Sequence, residues 1–378
     1  MNYLCAVKLT LQIKLLPDNK QMQSLKDTLK ECNTACDEIS KRCFENKIYG
    51  QYKIHHAVYY SIKSSFKLSS QMVVRCISKV ADSYKLDKKV QRTFKPLGSI
   101  AYDSRVLTYK QSEVSIWSIG GRIKVPFVCH NQKYIPYIKG EADLVFKKGK
   151  FYIFQTVEVP EEKVKDIEEF IGCDFGQTDI CTLSDGTNYN SEQLKKVRKK
   201  YSKVRASVQS KGTKGSKKLL KRLSGRERRF VTISNHTISK QIVAKAKREN
   251  KGIAIEDLSR IRFTAKPKSK AQKTELNRWS FYQLRQFLTY KSLLGGVKLA
   301  VIPPAYTSQT CSTCLHIGKR VAKKFTCENC GNISDADHNA AKNISAWGCV
   351  VNQPERESML YCTVHHLISK APSPLGKG

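Results

Sequence analysis

Acidic residues are scarce in this chain: 32 Asp and Glu stand against 68 Lys and Arg, a formal net charge of +36. A surface this one-sided repels itself unless it meets a polyanion, which makes nucleic acid the leading partner. The alternatives are a ribosome-like or merely adhesive protein and a basic membrane-surface binder. Long apolar runs are missing too. No stretch reaches the ~18 residues that a membrane span requires, so no membrane partner is expected. The opening MNYLCAVKLTLQIKLLPDNK lacks the apolar core and small-residue cleavage site of a signal peptide. There is no GxxxxGK(S/T) phosphate loop, which leaves nucleotide hydrolysis unsupported, and no nucleophile elbow around a Ser or Cys. The eight histidines form no ligand pair; His236 reads as a packing residue and His338 as solvent-facing. Tandem repeats are absent. The fourteen cysteines are scattered apart from four, so reduced thiols in an intracellular, cytoplasmic protein are expected rather than a disulfide framework. Nothing in the sequence sets the oligomeric state.

What is present begins with length: 378 residues at 40% hydrophobic and 26% charged describe a globular chain of two or three domains. Residues 1–16 alternate as a strand. Helical spacing follows over 19–47, 55–67 and 70–85, the last with Ser70 as N-cap. From about residue 95 the period falls to two, giving strands at 105–111, 114–127, 134–138, 143–149 and 150–160. A strand, a helical excursion and then several strands suggest a small barrel with an inserted helical lobe. A second start comes at 166–190, where EFIGCDFGQ (169–177) reads as a buried strand with Asp174 at its centre. Residues 195–229 hold 16 Lys or Arg and one acid, Glu227, mostly as helix broken by a loop at 211–217. So little counter-charge points to contact with a nucleic-acid backbone rather than a solvated helix face. Helix over 230–250 leads to the strand GIAIEDLSR (252–260). A polar, basic, mobile loop (261–278), a helix (280–295) and a strand (297–308) complete the order. Beyond Trp347 a loosely ordered tail is expected.

Three carboxylates stand out. Asp174 and Glu256 lie in apolar strands, and Asp337 opens a helix. Acids rarely sit in such settings unless paired or liganding a cation, because an unpaired buried charge is costly. Singly, each has an ordinary reading: Asp174 capping a turn before Gly176, Glu256 paired with a basic neighbour, Asp337 as a helix N-cap. If the two strands are adjacent, all three acids can meet at one end of the sheet. They would then hold magnesium, two ions about 4 Å apart, against a nucleic-acid phosphate for hydrolysis. Asp257 points to the opposite strand face; Asp179 and Asp185 fall at strand ends and turns. Asp335, two residues from Asp337, is the real ambiguity, with Asp337 favoured. Cys311, Cys314, Cys327 and Cys330 form two CxxC pairs twelve residues apart, the spacing of a structural four-thiolate zinc site. Zinc there would fix a basic hairpin (Lys319, Arg320, Lys323, Lys324) for backbone contact.

The chain resembles the transposon-encoded TnpB family, relatives of the compact type V CRISPR effectors and the Fanzor proteins. IGCDFGQTDI is similar to the family's first RuvC motif, IAIEDLSRI to its second, and CENCGNISDADHNAAKNI to its zinc ribbon running into the third. NHTISKQIV, YTSQTCSTC and IAYDSRVLTY also resemble family sequence. The resemblance implies a mixed α+β fold: a β-barrel-like wedge domain (1–16 and 93–165) with an inserted helical recognition domain (17–92). It further implies a C-terminal RNase H-like (RuvC) α/β nuclease domain (166–305 and 333–349) with an inserted zinc ribbon (306–332), then a tail (350–378). Asp174, Glu256 and Asp337 would be the catalytic, magnesium-binding triad and the four cysteines the zinc ligands. The implied activity is RNA-guided DNA cleavage beside a short adjacent motif. Its partners are a guide RNA and target DNA, double- and single-stranded, with base pairing reading the sequence. A non-cleaving RNA-guided repressor, a compact type V effector and a non-catalytic zinc-ribbon binder are the alternatives. One departure is Leu315, where relatives often have Gly after the second cysteine.

Overall fold

The structure is a computed structural model and describes residues 6–164, 167–259, 261, 265 and 269–352. The chain divides after Pro160 into two compact units, each with its own core.

In the first unit, strand β1 (Ala6–Leu15) buries Val7, Leu11, Ile13 and Leu15 by period-two alternation. Three helices follow: α1 (Asn19–Glu45), α2 (Gln51–Ser65) and α3 (Ser70–Leu86). Asp18 starts α1 with a capping box: its carboxylate accepts from the Gln21 N–H at 2.8 Å, and Gln21 Oε1 accepts from the Asp18 N–H at 3.1 Å. The cap of α3 is Ser69, not Ser70: its hydroxyl accepts from Met72 N–H. Leu29, Cys32 and Cys36 of α1 are fully buried, as are Val73, Cys76 and Ile77 of α3. Strands β2 (Ile100–Tyr102), β3 (Leu107–Lys110), β4 (Glu113–Ser118), β5 (Gly121–Cys129), β6 (Ile138–Lys147) and β7 (Lys150–Pro160) join β1 in a seven-stranded sheet. Its order is β2-β6-β7-β1-β5-β4-β3. The two outermost strands, β2 and β3, are only the 103–106 turn apart in sequence, and Tyr102 Oη donates to the Trp117 carbonyl of β4 at 3.2 Å. The sheet therefore curls until its edges nearly meet. The expected strand at 134–138 is instead a 3-10 turn (Gln132–Tyr137), because Pro136 within it fixes φ and offers no N–H to a ladder.

The second unit is built on a five-stranded sheet, order β10-β9-β8-β11-β12. Its strands are β8 (Phe170–Asp174), β9 (Asp179–Leu183), β10 (Asn188–Asn190), β11 (Gly252–Glu256) and β12 (Leu299–Ile302). β8, β11 and β12 run parallel, while β9 and β10 are antiparallel. Two strands stop earlier than expected. β8 ends at Asp174 and β11 at Glu256, so both acids sit at strand ends rather than strand centres, where the backbone leaves the ladder.

Helices α4 (Glu192–Ser210), α5 (Lys214–Leu223) and α6 (Arg226–Glu249) follow β10, and the basic tract is broken at residues 211–213, a shorter loop than the expected 211–217, and again at Ser224-Gly225. The expected 261–278 loop contains α7 (Lys270–Arg278), started by Ser269, whose hydroxyl accepts from Gln272 N–H at 3.1 Å; residues 262–264 and 266–268 lie outside the described residues. Helix α8 (Phe281–Gly295) precedes β12, which Pro303 and Pro304 stop short of the expected 308.

Three short strands, β13 (Lys319–Val321), β14 (Lys324–Thr326) and β15 (Ile333–Asp335), form an antiparallel sheet, and β15 runs into α9 (Ala336–Asn352). That helix continues past Trp347, where an irregular tail was expected; residues 353–378 lie outside the described residues. Among the described residues, no helix is long and apolar enough to cross a membrane, and no disulfide forms.

The layering follows from strand alternation. Ile171, Cys173, Ile253 and Ile255 face Ile238, Ile242 and Ala246 of α6 and Leu284 and Leu288 of α8. Phe170 and Ala254 face the other way, toward Ile344 of α9. The fit on this second face is close. A Cβ on Gly172 would lie 1.9 Å from the Ala341 carbonyl oxygen, and one on Gly348 would lie 2.6 Å from Ala254 Cβ.

Candidate active site and metal centre

Side chains alternate along a strand, so Asp174 shares the face of Gly172, and Glu256 the face of Ala254. Both therefore point toward α9, the helix that carries Asp337 at its second position. Asp257 goes to the opposite face and pairs with Arg285 of α8 at 2.6 Å. Three segments far apart in sequence thus deliver carboxylates to one end of the parallel strands, the usual location of ligand sites in open α/β sheets.

The electrostatics register that convergence. Burial, then the charges of Glu256 and Asp337, push the Asp174 carboxyl up to about 7; Arg320 partly offsets this. Burial also raises Glu256, against the Thr307 hydroxyl and Arg320, which favour its charged form. Glu256 and Asp337 are 8% and 9% exposed, and no hydrogen bond or ion pair among the described residues satisfies Asp174. Such a group of carboxylates is short of positive charge, and the nearest cations compensate only in part. Arg320 Nη2 lies 2.7 Å and Lys323 Nζ 3.8 Å from Asp337, and Lys323 also pairs with buried Asp179. Hard carboxylate oxygens are the donors a divalent cation such as magnesium takes. Among the described residues, however, only the four cysteines bring all their ligand atoms within 4.8 Å of one another, so the three acids stand near enough to feel one another's charge without closing to that distance.

Asp335 plays a different part. It is exposed, and its Oδ1 accepts from the N–H groups of Asp337 (3.0 Å) and His338 (2.9 Å), which makes it the cap of α9. Asp337 is therefore not the cap. His338 is not left to solvent: its Nε2 is 3.1 Å from the Ser184 carbonyl, tying the start of α9 to the end of β9. His236 stacks on Phe287 with ring centres 3.7 Å apart.

Several residues at the site escaped sequence reasoning. Thr307 donates its hydroxyl to Glu256 Oε1. The 307–310 segment is held by two asparagines of α9: Asn343 donates to the Thr307 (2.8 Å) and Thr310 (2.7 Å) carbonyls, and Asn339 to Thr310 at 2.7 Å. The spacing of Asn339 and Asn343, one turn apart beside Asp337, was the available signal. Arg320 and Lys323 were noticed only as backbone-contacting cations; as described above, both reach the carboxylates.

The four cysteine sulfurs all lie within 4.8 Å of one another, with Cys311–Cys330 at 3.7 Å and Cys314–Cys327 at 3.4 Å. Tetrahedral zinc with ~2.3 Å bonds would separate its sulfurs by about 3.8 Å, so the set fits zinc and leaves no open position. The two knuckles match in backbone: Leu315 N–H donates to the Cys311 carbonyl at 2.9 Å, and Gly331 N–H to Cys327 at 3.0 Å. Both central residues are left-handed, at φ +65° and +73°. Leucine thus keeps the turn that glycine makes, at a steric cost.

With this geometry in place, comparison with known proteins is informative. A family described as "Cas12f1-like, TNB domain" matches residues 281–344, and one described as "Probable transposase" matches 154–261. The TnpB-like protein MJ0751 of Methanocaldococcus jannaschii is 32% identical over 216 residues, covering 53% of this chain and 77% of that protein. The chain belongs to the TnpB-like family. Among its other relatives, the CRISPR-associated endodeoxyribonuclease Cas12f1 of Sulfoacidibacillus thermotolerans is 29% identical, over 53% of this chain and 50% of that protein. InsQ of Escherichia coli, provisionally named an RNA-guided DNA endonuclease, is 32% identical over 54% and 55% respectively. The chain thus spans about half the length of these last two TnpB relatives.

Proposed function

We propose that this TnpB-like chain is an RNA-guided DNA endonuclease that binds a guide RNA and hydrolyses target DNA in an RNase H-like (RuvC) site. The observation that carries the reading is the convergence of Asp174, Glu256 and Asp337 from β8, β11 and α9 within a chain of net charge +36. A group of acids in so basic a chain suits a polyanion whose phosphate must be brought to metal. The names of the Cas12f1 and InsQ relatives support the RNA-guided part, and the strand order β10-β9-β8-β11-β12 supports the RNase H-like part.

In this reading the three carboxylates hold magnesium, which when bound supplies an activated water and stabilises the leaving oxygen. Thr307 orients Glu256, Asp335 fixes the start of α9, and Arg320 and Lys323 place positive charge where the phosphate must sit. Zinc on Cys311, Cys314, Cys327 and Cys330 is structural and holds the hairpin that bears those two cations. The domain assignment goes with it: wedge (1–16, 93–165), recognition lobe (17–92), nuclease (166–305, 333–349) and ribbon (306–332).

The test is to sequence the RNA that co-purifies, supply a matching plasmid and magnesium, and compare the parent chain with Asp174→Ala. Cutting by the parent, and binding without cutting by the variant, is the expected result. Undiminished cutting by the variant would remove Asp174 from the site. Binding without cutting by the parent would favour a repressor.

A further inference from the structure

A sizeable cleft of the second unit lies away from the carboxylates. It opens between α4, α6 and the junction of α7 with α8, has a volume of about 690 Å³, and adjoins a second cleft of about 480 Å³ along α4. These sizes lie within the range of ligand sites. Arg198 borders both. Its side chain is 11% exposed, its Nη2 donates to the Arg278 carbonyl, and Glu275 stands 4.0 Å from Nη1. Its Nε is buried without a hydrogen-bond partner. Burial draws its pKa below the ordinary arginine value, so this guanidinium is desolvated and incompletely satisfied.

The walls explain what would satisfy it. Lys195, Lys199, Lys203, Arg228 and Arg278 line the two clefts and have no ion pair among the described residues, while Glu227 is held by Arg205 at 2.6 Å. Along α4, Arg198, Ser202, Arg205 and Gln209 recur at helical spacing and line the larger cleft. Tyr201 comes from one wall and Trp279 from the other, and Asn277 and Gln283 add amides at the rim. Gln283 is already oriented, accepting from Asn235 at 3.0 Å and donating to Thr232 at 3.2 Å. Cations combined with aromatic rings suit phosphate plus an unstacked base. A duplex keeps its base faces stacked and cannot use the rings.

We propose that this cleft seats an unpaired nucleotide of single-stranded nucleic acid, its phosphate on Arg198 and Arg278 and its base against Tyr201 and Trp279. The inference rests on the nucleic-acid reading above and gives the basic tract one defined seat. The strand is either guide RNA or single-stranded DNA, since both present the same phosphate and base.

The experiment uses the full chain, stripped of nucleic acid in high salt, with a labelled 15-nucleotide RNA and the DNA of the same sequence, followed by ultraviolet crosslinking and peptide mapping. Adducts are expected on peptides containing Tyr201 or Trp279. Arg198→Gln should weaken binding about tenfold and lower the salt slope by about one. Tyr201→Leu, on a half-buried helix position, should weaken binding about tenfold with the salt slope unchanged. Adducts with RNA alone identify the guide as occupant; adducts with DNA identify the target strand. Binding with adducts confined to other surfaces, and parent-like affinity in both variants, would overturn the cleft while leaving the nuclease reading intact. Binding of neither oligonucleotide would overturn both.

Discussion

Replacing Asp174 with asparagine should make the protein more stable wherever magnesium is absent and the pH is above neutral. The carboxyl titrates near 3.8 when unfolded and is pushed up to about 7 when folded, first by burial and then by Glu256 and Asp337. At 1.36 kcal/mol per pKa unit that difference is about 4 kcal/mol. Asp174 is partly exposed and part of its shift comes from the neighbouring Glu256 charge, so about 2 kcal/mol is the expected size. The sign is set by the raised folded value: the folded chain holds the proton more tightly than the unfolded one. This carboxyl therefore weakens the fold progressively as the pH rises from about 4 to about 7, and by a constant amount above that. An asparagine side chain in its place does not titrate and carries no such penalty. Urea unfolding of parent and D174N should show equal stability near pH 4 and a gap of ~2 kcal/mol in favour of the variant at pH 8, in magnesium-free buffer containing zinc. Adding magnesium to ten times its Kd should then raise the parent by about 1.4 kcal/mol and the variant by less. A gap that does not change between pH 4 and pH 8, or a variant less stable at pH 8, would refute a strained cluster of carboxylates.

Other perturbations test the frame around the cluster. Gly172→Ala places a Cβ 1.9 Å from one backbone atom of α9 and 2.5 Å from another, so the helix must move; a loss of ~2 kcal/mol or more and of cutting is expected, and a parent-like melting temperature would contradict the close fit. Leu315→Gly removes a left-handed leucine and should stabilise the ribbon by about 1 kcal/mol, measured as slower zinc loss to a competing chelator. Zinc lost as fast as from the parent would show that the turn is unstrained. Cys311→Ser should lower zinc content and loosen the segment from Cys311 to Cys330; equal metal in variant and parent would rule out the four-thiolate site.

Legibility in the sequence followed the range of the interactions involved. The two-residue period of Ile171-Gly172-Cys173 and of Ile253-Ala254-Ile255 is local, and it was enough to read β8 and β11 as buried strands and to turn Asp257 away from Glu256. Periodicity could not locate where each strand leaves its ladder, so Asp174 reads as central to its strand and Glu256 as inside a strand running to 260, whereas each ends its strand. Pro136 carried the information that broke the expected strand over 134–138, but it was outweighed by the apolar residues around it. Contacts across long sequence distances were illegible in principle. Thr307 meets Glu256 across 51 residues, and Lys323 meets Asp179 across 144. Both pairings depend on how the ribbon packs, which no local pattern encodes.

The position of the ribbon in the chain then has a physical explanation. Thr307 precedes it and Asp337 follows it, and the two must come together on α9 for Glu256 and Asp337 to share a site. A flexible connection of that length could close the ends but would not hold them. The four thiolates, with the Asn339 and Asn343 clasps on 307–310, turn the connection into a rigid element with fixed ends. The same element aims Arg320 and Lys323 back at the carboxylates. Zinc on the cysteines would therefore act at the acidic site through geometry: by holding the 311–330 segment it would help fix where Thr307 and Asp337 stand and where Arg320 and Lys323 point, with no ligand in common.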